Sequence, residues 1–188
     1  MIRIVFPLLL SALALTACKE DLAQAPDPVS LNAEAVGFYC QMNLLEHDGP
    51  KAQIHLDGMP APIFLSQVRD AIAYMRMPEQ SHAIVAVYVN DMSRADSWAR
   101  PGADNWMLIE NAVFVLGSRQ IGGMGAPEIV PFSNRADADS FAAEHGGQIV
   151  ALADVTDADV LTPQGSQTDT DESDIANRLR KLSSLQGG

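Results

Sequence analysis

Cys40-Gln41-Met42 sets a thiol and a thioether two residues apart and is the sharpest chemical feature of the chain. In an extended strand, positions i and i+2 face the same way about two rises of ~3.3 Å apart, so both sulfurs can converge on one ion. Such donors select a soft monovalent metal, and copper(I) is the exported candidate. Zinc asks for more Cys or His ligands, usually four in a structural site, which this region does not supply. Copper(I) takes two or three ligands, so a third donor is worth seeking. Met124 lies in Ile121-Gly122-Gly123-Met124-Gly125, a loop stripped of competing side chains. Core packing explains a thioether there poorly, and the glycines let the loop approach a neighbour closely. The expected metal ligands are therefore Cys40, Met42 and Met124. Met92, His47 and a donor supplied by a partner stand as alternatives for the third place. His55, His82 and His145 show no mutual metal spacing.

The cysteine count sharpens this. The chain has two cysteines. Met1-Ile2-Arg3 gives a short positive start, residues 4–15 form a nearly continuous apolar run, and Leu15-Thr16-Ala17-Cys18 sets small residues before a cysteine. This is a secretory signal, too short to span a bilayer. Its ending resembles the bacterial lipobox, so Cys18 is expected to carry the lipid of a periplasmic, membrane-anchored protein. Lys19 stands where an inner-membrane retention Asp would be, which favours the outer membrane. With Cys18 consumed, Cys40 is left unpaired in an oxidising compartment, where lone thiols are avoided or put to use. The bland alternative is a small buried hydrophobe. A thiol-dependent enzyme is a further alternative, but no helix starts at Cys40 and its surroundings are acidic, which suits a thiolate nucleophile poorly. No paired-carboxylate, phosphate-binding or dinucleotide motif appears, and the expectation is that the protein is not an enzyme. A net charge of −12, from 24 acidic and 12 basic residues, repels phosphate backbones and excludes nucleic acid as a partner while attracting cations.

The elements that must position these residues repeat. Gly58-Met59-Pro60-Ala61-Pro62, a short strand and Ser66 are echoed by Gly123-Met124-Gly125-Ala126-Pro127, a short strand and Ser133. Each serine is suited to cap a helix. Val68, Ile72 and Met75 face the core of the first helix, and Ala136 or Ala138 with Phe141 that of the second. Hydrophobic strands follow at residues 83–89 and 148–152, the latter entered through the helix-ending pair Gly146-Gly147. Further strands are expected at 36–42, 52–56 and 112–116. The fold class is α+β, two similar small ββαβ-type units packed side by side, with a cleft between them as a natural binding position. The expected organisation is a lipoprotein signal peptide (1–17), a lipid-anchored tether (18–30), the first unit (31–92), a connector (93–105), the second unit (106–161) and an acidic disordered tail (162–188). Ile175, Leu179, Leu182 and Leu185 add the spacing of a short helix to that tail.

From the lipobox to about Leu161 the chain resembles the NosL family, lipoprotein accessory factors of nitrous oxide reductase. The resemblance is carried by LTAC at 15–18, GFYCQMNLLEHDGPKAQI at 37–54, FLSQVRDAIAY at 64–74, AVYVNDM at 86–92, GSRQIGGMGAPEIVPF at 117–132 and FAAEHGGQIV at 141–150. It implies copper(I) delivery towards the tetranuclear copper–sulfide centre of the reductase, with the reductase and its membrane maturation complex as partners. It also implies two ββαβ-type units. The family's C-x-M pair falls on Cys40 and Met42, and its glycine-flanked methionine on Met124. Family members often have Gly between the Cys and the Met, where this chain has Gln41. An assembly lipoprotein for which metal binding is secondary is the competing function.

Overall fold

The computed structural model describes residues 25–80, 82–161 and 181. The signal segment, Cys18 and most of the acidic tail lie outside the described residues. The chain runs β1 (Ala52–Leu56), β2 (Ile63–Leu65), α1 (Val68–Arg76), β3 (Ile84–Asn90), β4 (Trp106–Leu108), β5 (Val113–Leu116), β6 (Val130–Phe132), α2 (Arg135–His145), β7 (Gln148–Ala151) and α3 (Asp157–Leu161). Among the described residues the strands form two antiparallel sheets, ordered β2-β1-β3-β4 and β6-β5-β7. The repeat is thus β1-β2-α1-β3 against β5-β6-α2-β7, with the first strand central in each. The α+β class and the two similar units are what the sequence pattern led us to expect. β4 lies past the connector yet pairs with β3, so the second sheet opens at Val113 and not at 106.

The helices form and stop for local reasons. In α1, Val68, Ala71 and Ile72 are buried at i, i+3 and i+4, one apolar stripe facing the sheet. Met77 ends it in extended conformation because Pro78 follows and disfavours α geometry in the residue before it. In α2, Ala138 is buried, whereas Ala136 is exposed. Gly146 closes this helix at φ 77° with its N–H on Ala142 O at 2.8 Å, a conformation that glycine adopts at little steric cost.

The capping differs from the serine expectation. The cap positions are Gln67 and Asn134, one residue past each serine. Asn134 accepts from the Ala136 N–H at 2.9 Å, but the Gln67 side chain caps nothing. The missing acceptor comes from the other unit: Glu128 Oε1, just before β6, takes the Arg69 N–H at 3.1 Å and the Ile129 N–H at 2.9 Å. The exchange is reciprocal. Asp91, just past β3, takes the Ser133 N–H at 3.0 Å and the Ser133 hydroxyl at 2.6 Å at the head of α2. Each unit thus lends a buried carboxyl group to the segment that starts the other's helix: Glu128 caps an N–H of α1, and Asp91 fixes Ser133, one residue before the Asn134 cap of α2.

A shared core joins the units as well. Ile54, Leu65, Val68, Ile72 and Val87 of the first pack in one cluster with Phe114, Ile129 and Val160 beyond it. The outer face of β1 is covered by the chain's own N-terminal strap. Gln53 clamps the Val29 peptide, accepting its N–H at 2.8 Å and donating to its carbonyl at 2.9 Å, and the Tyr88 hydroxyl donates to Pro26 O at 2.9 Å. Part of the segment read as a tether is therefore fastened to the first sheet. A smaller cluster of Leu31, Ala35 and Leu44, with Phe64 and Trp106 against it, underlies the segment that carries Cys40.

Candidate metal site

Cys40-Gln41-Met42 does not lie on a strand, which corrects the expectation for residues 36–42. Val36 and Asn43 pair across a tight reversal. The Gly37 N–H donates to Met42 O at 3.0 Å and the Gln41 N–H to Gly37 O at 2.8 Å. Gln41 sits at φ 56°, the left-handed region that favours glycine. Its side-chain amide donates to Phe38 O at 2.7 Å, which partly offsets the unfavourable backbone. Same-face alternation no longer relates Cys40 to Met42; a reversal of the chain does.

The reversal is held on three sides. Leu44 is fully buried beneath it, and the Leu44 N–H donates to Ala35 O at 2.9 Å. Phe38 donates its N–H to Phe64 O at 2.7 Å and sets its ring edge-on to Tyr74 of α1 at 6.2 Å. Cys40, the free cysteine among the described residues, is half-buried. Its sulfur lies over Gly37, where an added Cβ would stand 2.5 Å from Sγ and 3.8 Å from Ser66 Oγ. Met42 is 41% exposed.

Met124 arrives from the other unit. Residues 121–127 form a loop closed by a bridge between Ile121 and Pro127, with the Gly122 N–H on Ala126 O at 2.8 Å and the Gly125 N–H on Gly122 O at 2.9 Å. Met124 is at its tip, 42% exposed. The base of the loop presses on the first unit through glycines. A Cβ on Gly123 would lie 2.7 Å from His47 Cβ and 3.2 Å from Ser66 O, and one on Gly122 would meet the Gln67 amide and stand 2.6 Å from Glu128 Oε2. Ser66 thus faces Gly123 with its carbonyl and the Gly37–Cys40 reversal with its hydroxyl. The turn bearing Cys40 and Met42 and the loop bearing Met124 abut one point, the head of α1.

The alternative third donors part company here. His47 borders the Met124 loop, and its Nε2 is buried without a hydrogen-bond partner among the described residues. Met92 instead packs against the core of the second unit beside Trp98 and Phe141. His55 bonds Gln53 at 3.0 Å and His145 bonds Gln120 at 3.2 Å. Met75 packs against the main core, and Met77 takes the Tyr39 hydroxyl. Among the described residues no three His, Cys, Asp or Glu side chains gather as a metal-binding group.

Beneath the loop lie charges the sequence reading passed over. Lys51 and Glu128 are each 1% exposed. Lys51 donates to Gly49 O at 2.5 Å and Asp48 O at 3.1 Å. Burial pulls its ammonium down to about 8, opposed by the nearby Glu128 and Asp48 charges. Burial pushes the Glu128 carboxyl up to about 8, against the two N–H groups it accepts; Asp70 adds to the rise and Lys51 opposes it. An acidic residue leading the apolar run EIVPF was the available signal for Glu128.

Comparison with known proteins follows the same lines. The sequence profile of the NosL family matches residues 28–160. A copper-binding lipoprotein NosL from Achromobacter cycloclastes is 55% identical over 190 residues, covering 99% of this chain and 98% of the relative. A second, from Stutzerimonas stutzeri, is 28% identical over 151 residues, covering 79% and 77%. The crystal structure of the copper chaperone NosL from Shewanella denitrificans is similar at a TM-score of 0.65 and 30% identity, over 70% of this chain and 97% of that one. Among the described residues no helix is long and apolar enough to cross a membrane.

Proposed function

Because the chain belongs to the NosL family of copper-binding lipoproteins, we propose that it carries one copper(I) ion on Cys40, Met42 and Met124. It hands this ion on for assembly of the tetranuclear copper–sulfide centre of nitrous oxide reductase. The ion is cargo, and the protein acts as a carrier without catalysis of its own. It works in the periplasm, anchored through a lipid on Cys18, with Lys19 directing it to the outer membrane, and it meets the reductase and its membrane maturation complex there.

The observation that carries the proposal is the meeting of two separate sulfur-bearing segments at the head of α1. A thiolate and thioethers suit copper(I). The two methionines are two-fifths exposed, so an incoming donor from a partner can replace them one at a time while the thiolate holds. The net charge of −12 raises the local concentration of cations.

Anaerobic titration of the soluble domain should show tight binding of about one copper(I) per chain, lost in Cys40→Ser. Equal affinity in that variant rejects the site. In cells, Cys40→Ser with Met42→Ala should leave the reductase without its copper–sulfide centre. Full maturation with that double variant would favour the assembly role over copper carriage.

A further inference from the structure

We propose that Glu128 is a positioning residue for the copper site: its carboxyl group seats the Met124 loop on the head of α1, and the seat is kept only while that group carries its proton. The inference rests on the ligand set proposed above and extends it to a residue that touches no ion.

The geometry is specific. One carboxyl oxygen bridges the units by taking the Arg69 N–H of α1 and the Ile129 N–H just before β6. The other, Oε2, is buried and lacks a hydrogen-bond partner among the described residues. Gly122 lies directly over it, two residues before Met124, so close that a single added carbon would stand 2.6 Å from Oε2. Gln67 flanks the same glycine and ties the far side of the loop by donating to Ala126 O at 3.3 Å. The loop is thus clamped from below by Glu128 and Gln67, and the glycine leaves no side chain to shield the carboxyl oxygen.

An ionised carboxylate in this place has no donor for Oε2. The charged groups around it do not supply one. Lys51 is held by the Asp48 and Gly49 carbonyls. The Arg69 guanidinium donates to Val160 O of α3. Asp70 repels the charge, Asp159 lines the adjoining cavity, and His47 and Asp48 back the loop on its other side. Burial sets the Glu128 midpoint at about 8, and the Lys51 ammonium is pulled to about the same value. The Lys51 ammonium, which opposes the rise, therefore loses its charge over the range in which Glu128 becomes an anion. Hydration of that anion at Oε2, the oxygen that Gly122 covers, lifts the loop and withdraws Met124.

The test compares wild type with Glu128→Gln, which keeps an acceptor and cannot ionise. The ratio of the two affinities removes any pH dependence that both proteins share. At pH 7 the two should bind copper(I) about equally. At pH 9, about one unit above the midpoint, about a tenth of wild-type chains keep the loop seated, so the variant should bind about tenfold more tightly. In a Met124→Ala background the advantage should vanish. A flat ratio from pH 7 to pH 9, or an advantage that persists without Met124, overturns the inference. A metal-free measurement stands apart from the copper assignment: the carbon-13 methyl signal of Met124, followed from pH 6.5 to 9.5. It should titrate near 8 in wild type and stay still in Glu128→Gln. If Glu128→Gln does not fold, Lys51→Met, which removes the other group with a midpoint near 8, takes its place: the titration should persist there, and a Met124 methyl that ignores pH in wild type or loses its titration in Lys51→Met rejects the proposal. Failure of wild type to bind copper(I) at pH 7 would sink the proposed function and leave the methyl titration to judge Glu128.

Discussion

Replacing Gly123 with alanine tests whether the contact between the Met124 loop and the first unit positions a copper donor. The new Cβ would stand 2.7 Å from His47 Cβ, 3.2 Å from Ser66 O and 3.3 Å from Asp48 O. Carbon atoms rest about 3.5–4.0 Å apart, so the loop must retreat by roughly 1 Å. None of the three obstacles is the free end of a flexible side chain. Overpacking of this kind costs about 1–3 kcal/mol, and misplacing a metal donor through its support costs about 10–100-fold in affinity. Gly125→Ala is the matched control. Its Cβ meets nothing within 4 Å although the residue sits at φ 78°, so it adds local strain without driving the loop off its seat. Anaerobic competition against a chromogenic copper(I) chelator gives the affinities, and thermal melting gives the stabilities. Gly123→Ala should weaken copper binding at least tenfold, and Gly125→Ala should stay within a few-fold of wild type. A Gly123→Ala protein that melts earlier yet binds copper(I) like wild type would refute the link between this contact and the donor.

Further outcomes follow from the same structure. The Glu128 carboxyl has its folded midpoint raised from 4.5 to about 8 and the Lys51 ammonium has its own lowered from 10.5 to about 8. Between pH 4.5 and 8 the folded state holds the Glu128 proton that the unfolded chain loses, so this group's contribution to stability falls as pH rises. Between pH 8 and 10.5 the unfolded chain holds the Lys51 proton that the folded state has lost, so stability recovers. Chemical denaturation should thus show a minimum near pH 8, with an approach slope of up to about 1.4 kcal/mol per pH unit that Glu128→Gln abolishes. Asp91→Ala removes three hydrogen bonds, including the two at the head of α2, and should cost about 3 kcal/mol in urea unfolding. Gln41→Gly relieves the left-handed backbone at φ 56° and should raise stability by about 1 kcal/mol with both sulfurs still in place.

The repeat was readable because each unit announces itself locally. Turn residues, a short β-rich run and an apolar helical stripe recur in the same order around Ile63 and Val130, and they predict β2-α1 and β6-α2 with little help from distant contacts. The segment around Cys40 misled for an equally physical reason. Phe38, Tyr39 and Cys40 have the composition of a strand, but its path is set by Leu44 dropping into the small core with Leu31 and Ala35, and by Gln41 turning left-handed. Neither shows in local alternation. The serines marked helix starts to within one residue. The carboxyl groups behind the two helix starts, Glu128 on the Arg69 N–H of α1 and Asp91 on Ser133 ahead of α2, come from the opposite unit and are invisible to any pattern confined to one segment. Met92 stood as a candidate because it follows β3 closely, and the Asp91 turn carries it instead into the second core. Cys40 and Met124 stood out by residue type and isolation; the approach of their segments to Ser66 needed the tertiary fold.

X-ray absorption at the copper edge of the copper(I)-loaded protein tests the central claim most directly, since it counts sulfur neighbours of the ion. Wild type should show a shell made of sulfur, reduced by one scatterer in Met124→Ala and dismantled in Cys40→Ser. A first shell of nitrogen and oxygen, or a sulfur shell unchanged when Met124 is removed, would contradict the site.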